Sequence, residues 1–89
     1  MEGKNHTVLI ADDEPEIRQV LRIFLEGEGY RVLEAADGEE AVAQAGQADL
    51  ILLDVMMPGC DGLTACTRIR ERSAAPILFL TAKGTEADK

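Results

Sequence analysis

Three short apolar runs in this chain each end on oxygen-bearing side chains: Val8-Leu9-Ile10-Ala11 on Asp12-Asp13, Leu50-Ile51-Leu52-Leu53 on Asp54, and Ile77-Leu78-Phe79-Leu80 on Thr81. Runs this short and this apolar, separated by helix-like segments, predict buried parallel strands. In an open α/β sheet, ligands bind in the crevice at the carboxyl ends of the strands. The pattern therefore predicts three carboxylates and a hydroxyl gathered on one sheet edge. Such a set suits a divalent cation and a phosphoryl group.

The segments between the runs carry helix signals. Glu14-Pro15 follows the first run, with proline at the first helical position, where its missing N–H costs nothing. Ile17, Val20, Leu21, Phe24 and Leu25 then recur at three- and four-residue spacing and predict one apolar face, closed off by Gly27 and Gly29. Tyr30 to Ala35 alternates imperfectly and reads as a strand more exposed than its neighbours. Asp37 and Glu40 are spaced as a capping box, ahead of a small apolar stripe of Ala41, Val42 and Ala45. Asp61-Gly62 opens a third helix with Leu63, Cys66 and Ile69 on its apolar side. The expected strands span about 7–12, 30–35, 50–54 and 76–81, and the helices about 15–27, 37–45 and 61–72. The order β-α-β-α-β-α-β with right-handed crossovers predicts an α/β fold with an open parallel sheet. A closed barrel needs about twice as many units.

Composition limits the function classes. A chain of 89 residues makes one domain, near the lower end of what folds on a single core. Hydrophobic residues reach 46% but aromatics only 3%, so the core must be aliphatic. Seventeen acids against nine bases give a net charge of −8, which argues against direct binding to nucleic acid or to an anionic membrane. Cys60 and Cys66 are too few for a disulfide framework or a cysteine-rich zinc site, and reduced thiols are the simpler expectation. The polar stretch from Met1 to His6 has neither signal-peptide nor transmembrane character. A soluble, cytoplasmic protein is expected.

The acidic cluster is the strongest chemical feature. Mg²⁺ takes hard oxygen ligands and keeps several waters and phosphate oxygens. Asp13 and Asp54 offer two carboxylates, and Asp12 is close enough to act directly or through water. Without a cation these groups repel, so at least one pKa should rise. The alternative is that each acid caps a helix or faces solvent, which is the common role of a single strand-end aspartate. Acids at two strand ends, with Thr81 at a third, weaken that alternative. Other chemistries find little support. Gly27-Glu28-Gly29 follows a helix and precedes a strand, the wrong order for a dinucleotide fingerprint, and no P-loop is present. His6 is the single histidine and lies in a polar tail, so no serine or cysteine has a base to activate it. Asp54 is the available nucleophile.

At these residues the chain resembles a known family. Asp12-Asp13-Glu14-Pro15, the run Leu52-Leu53-Asp54-Val55-Met56-Met57-Pro58-Gly59 followed by Asp61-Gly62, and Leu80-Thr81-Ala82-Lys83 are similar to the receiver domain of two-component response regulators. The resemblance runs from about Thr7 to the last residue, and the winged-helix transcription-factor branch is the nearest subtype. It implies a flavodoxin-like receiver fold in which Asp54 accepts a phosphoryl group from the phosphohistidine of a sensor histidine kinase. It implies Mg²⁺ held by Asp12, Asp13, Asp54 and the backbone carbonyl of Met56, with Thr81 as the switch hydroxyl. By the same resemblance, Met56 and Lys83 occupy positions that in the family tune hydrolysis of the acyl phosphate, although Lys83 reads equally well as a plain surface lysine. Such a domain is a phosphoacceptor and not an enzyme; at most it catalyses its own phosphorylation and dephosphorylation.

In that family the domain continues through a fourth helix, a fifth strand and a fifth helix, and the fifth strand ends in a lysine that pairs with the phosphoryl group. The resemblance thus reads residues 1–89 as a single receiver truncated after strand four, with impaired phosphotransfer, and Lys83 is not that lysine. The alternative is a non-switching interaction fragment that self-associates through strand four or an exposed sheet face. A flavodoxin-like mononucleotide binder is a remoter option, since Asp12-Asp13-Glu14 stands where a hydroxyl- and glycine-rich phosphate loop belongs.

Overall fold

The computed structural model describes residues 6–54 and 62–80. Four strands and three helices alternate along them: β1 Thr7–Ala11, α1 Pro15–Gly27, β2 Arg31–Ala35, α2 Gly38–Gln44, β3 Leu50–Asp54, α3 Gly62–Arg70 and β4 Ile77–Leu80. A single 3-10 turn, Ala45–Gln47, follows α2. The strands form one parallel sheet in the order β2-β1-β3-β4. This is the open α/β sheet that the apolar runs predict.

Burial separates the two faces of that sheet. Leu9, Ala11, Ala35, Ile51 and Leu53 share one cluster with Ala41 and Val42 of α2, Ala45 of the 3-10 turn, and Ala65 and Ile69 of α3. The small stripe of α2 lets that helix sit close to the strands, as its alanines predict. Among the described side chains of α3 the buried positions are Ala65 and Ile69, with Cys66 packed at the margin, while the expected Leu63 side chain lies outside the described ones. Ala65 carried no hydrophobic signal of its own, because one methyl group hardly shapes a periodicity.

The other face is covered by α1, and here the expected apolar stripe behaves differently. None of the α1 residues is fully buried. Ile17, Leu21 and Leu25 are half-buried, whereas Val20, Ile23 and Phe24 are exposed, Phe24 by 64%. The apolar arc of α1 is therefore wider than its contact with the sheet, which lies over β1 and β2. Leu78, opposite Leu52 in β4, is 55% exposed, so apolar sheet surface also continues past the helix.

Local signals explain the element ends. The Asp37 side chain accepts the Glu40 amide at 2.9 Å, and Glu40 Oε1 accepts the Ala36 amide at 2.8 Å. This is a capping box whose return arm reaches one residue further back than the usual one. Helix α1 closes with Tyr30 N–H donating to Leu25 O and Gly29 N–H donating to Glu26 O. That pairing requires a left-handed residue, and Gly29 supplies it at φ 96°.

Candidate functional site

Strands β1 and β3 are hydrogen-bonded neighbours with Ala11 opposite Leu53, so Asp12 and Asp54 each stand one residue beyond that pair. The topology alone thus places two carboxylates side by side at the carboxyl edge. Both are buried, at 3% and 5% exposure. Asp13 is half-buried beside them, and one carboxylate oxygen from each of the three lies within 4.8 Å of the others. The expected convergence of Asp12, Asp13 and Asp54 is present in the geometry. Met56, Lys83 and Thr81 lie outside the described residues, as do Cys60 and Asp61.

The three acids are held unequally. Asp12 is fixed at every polar group: its amide donates to Ala35 O at 3.1 Å, its Oδ1 accepts the Glu14 amide at 2.8 Å, and its carbonyl accepts Arg18 Nη1 at 2.7 Å. Burial pushes the Asp12 carboxyl above its ordinary value; the Glu14 amide draws it back, while the charges of Asp54, Asp13 and Glu14 add to the rise. Asp13 Oδ1 is buried with no hydrogen-bond partner among the described residues.

Buried polar atoms are nearly always satisfied, and one left bare costs the free energy of its lost hydration. A bare carboxylate oxygen among two further carboxylates fits a cation better than a neutral ligand. The donors are all hard oxygens, with no described thiol or imidazole in the cluster, which suits Mg²⁺ over zinc or copper. The residues present therefore fit the group that the resemblance implies.

Arg18 is a contributor that sequence reasoning passed over. It lies on α1, and its Nε also donates to Glu34 Oε1 at 2.9 Å. Glu34 in turn accepts Arg22 Nη1 at 2.7 Å. Hydrogen bonds from Arg22 and then Arg18 hold the Glu34 carboxyl below its ordinary value. The spacing of Arg18 and Arg22 on one helical face was the available signal, but nothing in the sequence pairs that face with Glu34.

An open parallel sheet with an acid cluster at its carboxyl edge defines an α/β domain whose donor set suits a hard cation. The comparisons with known proteins make this specific. Residues 8–89 match the response regulator receiver domain family, and the chain belongs to that family. It is 52% identical over 92 residues to the transcriptional regulatory protein ResD of Bacillus subtilis, covering all of this chain but 38% of that protein. Among solved structures, the receiver domain of sensor histidine kinase PA1611 from Pseudomonas aeruginosa PAO1, with a magnesium ion coordinated in its active-site cleft, superposes with a TM-score of 0.81 at 35% identity, covering 93% of this chain and 72% of that one. A chain of the complex between histidine kinase ThkA and response regulator protein TrrA gives 0.77 at 42% identity, covering 86% of this chain and 69% of that one. The chain thus spans little more than a third of the length of curated relatives it matches.

Among the described residues no helix is long and apolar enough to cross a membrane.

Proposed function

We propose that this receiver domain accepts a phosphoryl group on Asp54 from the phosphohistidine of a sensor histidine kinase, with Mg²⁺ as cofactor. The observation that carries the reading is the buried Asp12–Asp13–Asp54 cluster with its unsatisfied Asp13 oxygen. A carboxylate oxygen of Asp54 attacks phosphorus in line, forming the P–O bond of an acyl phosphate. The P–N bond to the imidazole breaks, and its electron pair stays on the ring nitrogen. Phosphoryl transfer of this kind needs positioning and charge neutralisation more than covalent assistance. Charge on the phosphoryl oxygens would be neutralised by Mg²⁺ when it is bound. Asp12, Asp13 and Asp54 would hold it, with the carbonyl of Met56 as the further ligand that the family resemblance implies.

The added group carries roughly −1.5 to −2 charges and strong acceptor oxygens, enough to bias a two-state loop. Thr81 is the hydroxyl that answers it. The domain acts as a cytoplasmic phosphoacceptor, without direct contact to nucleic acid or membrane, and catalyses at most its own phosphorylation and dephosphorylation. Incubation with Mg²⁺ and a small phosphodonor, followed by peptide mapping, tests the assignment. Label on the peptide containing Asp54, lost in Asp54→Asn, is the expected result. Label elsewhere, or label that survives the substitution, overturns it.

A second reading is favoured by one observation. Strand β4 pairs with β3 on one side only among the described residues, and its Leu78 and Phe79 are 55% and 42% exposed. Open apolar edges recruit further strands. On this reading a second copy pairs at β4 or packs on the apolar side chains exposed among the described residues, Leu78 of the sheet and Phe24 of α1, whether or not the domain switches. Sedimentation of the 89-residue chain at micromolar concentration, with Phe79→Lys alongside, checks it. A monomer throughout rejects the association.

A further inference from the structure

We propose that Arg18 is a positioning residue for the cation site, acting through the peptide that joins Asp12 to Asp13. The inference rests on the metal-binding reading above and assigns a new residue to it. Arg18 reaches from the second turn of the α1 segment back to the end of β1, where its Nη1 holds the Asp12 carbonyl at 2.7 Å. That carbonyl belongs to the peptide leading into Asp13. Holding its plane fixes the position of the Asp13 Cα and the axis of its N–Cα bond, so that φ is the one backbone rotation left to carry Cβ. Asp13 Oδ1 has no described partner of its own to orient it, so the held peptide is what aims it into the cluster.

The guanidinium is itself immobilised. Its side chain is only 16% exposed, and its Nε is anchored on Glu34 Oε1 at 2.9 Å. Glu34 is fixed from two further sides, by Arg22 on its carboxylate and by Gln44 Nε2 on its carbonyl at 2.9 Å. Sheet, α1 and α2 therefore all bear on the position of one carbonyl oxygen. A planar fork with donors on two edges spans the Asp12 carbonyl and the Glu34 carboxylate at once. A single ammonium on a flexible stem does not reproduce that geometry.

Charge and geometry predict opposite signs, which makes the proposal testable. A cation beside the acid cluster repels an incoming metal ion, so if charge were its whole effect, removing it would tighten metal binding. If Arg18 positions Asp13, removing it weakens binding. Outer-shell contacts of this kind typically change metal affinity by about 10- to 100-fold.

The test is Mn²⁺ binding to the 89-residue chain, read as the loss of the free-ion signal in electron paramagnetic resonance, together with the metal-free thermal melt. Arg18→Met and Arg18→Lys should both weaken Mn²⁺ binding by about tenfold or more. Arg22→Met, which removes a charge from the same ion-pair network but leaves the Arg18–Asp12 hydrogen bond in place, should lower the melt while weakening Mn²⁺ binding less than either Arg18 variant does. Binding by Arg18→Met that equals or exceeds that of the unaltered chain overturns the proposal. So does Arg18→Lys that binds normally, since charge alone would then suffice. Should Arg18→Met fail to fold by circular dichroism, Arg18→Lys decides on the same criterion. Failure of the unaltered chain to bind Mn²⁺ is a different result: it overturns the metal site itself, and this proposal with it.

Discussion

Asp12 and Asp54 sit next to each other because Ala11 and Leu53 are register partners one residue earlier in β1 and β3. Their closeness is a property of the backbone ladder and needs no attraction between the side chains. The cluster is consequently assembled before any cation arrives, with like charges held together by the fold.

That predicts opposite effects of Asp13→Asn in the two metal states. Without metal, the substitution removes one repelling charge and should leave the melting temperature equal or higher. With Mg²⁺, stabilisation by preferential binding to the folded state reaches about 2.7 kcal/mol at a hundredfold excess over Kd. Asp13→Asn should lose most of that gain. Thermal melts with millimolar Mg²⁺ and with chelator check the pair, and an equal Mg²⁺ response in both proteins would contradict it.

The Glu34 ion pairs predict a pH dependence with a definite sign. Arg22 and Arg18 hold the Glu34 carboxyl below its ordinary value of 4.5. A depressed folded-state pKa gives stability that is fully present above the unfolded value and is lost as pH falls through the folded one. The difference in melting temperature between the unaltered chain and Glu34→Gln should be constant near neutrality. It should then shrink at acid pH, below the ordinary glutamate range. A gap that widens on acidification has the wrong sign.

Capping supplies a smaller effect. Asp37→Ala removes the acceptor for the Glu40 amide and should cost about 1 kcal/mol. Asp37→Ser should recover most of it, because a hydroxyl accepts the same bond. Chemical denaturation with an unchanged m-value is the measurement.

Core and helix-face substitutions should separate sharply. Ile69→Ala opens a hole in a fully buried cluster, at about 2–5 kcal/mol, a loss that a domain this small tolerates poorly. Phe24→Ser, on the exposed arc of α1, should change monomer stability by about 0.5 kcal/mol or less. If the second copy does dock there, the effect of Phe24→Ser becomes concentration-dependent.

Strands β1 and β3 were legible because uninterrupted apolar runs of that length have few other uses, and their ends carried the acids in plain view. Helix α1 was legible as a helix but not in its packing. Periodicity reports which side is apolar, whereas what covers Val20 and Phe24 depends on elements distant in sequence. Ala65 escaped notice because its contribution is absence of bulk. Arg18 escaped because its partners, the Asp12 carbonyl and Glu34, come to it only through the β1–β2 pairing. A side chain that acts on a backbone oxygen leaves no motif.

The attachment of α1 has a consequence for local opening. This helix buries none of its residues fully, and charged contacts from Arg18 and Arg22 to Glu34 fasten it to β2. The Debye length shortens from about 8 Å at physiological salt to about 3 Å at 1 M. Amide protons of α1 should therefore exchange with solvent more readily as salt rises, while those of α2, docked through alanine and valine, hardly respond. Because Arg18 travels with α1, any excursion of that helix releases the Asp12 carbonyl as well. Salt would then weaken a cation site twice: by screening its charges, and by unfastening the helix that keeps it in shape.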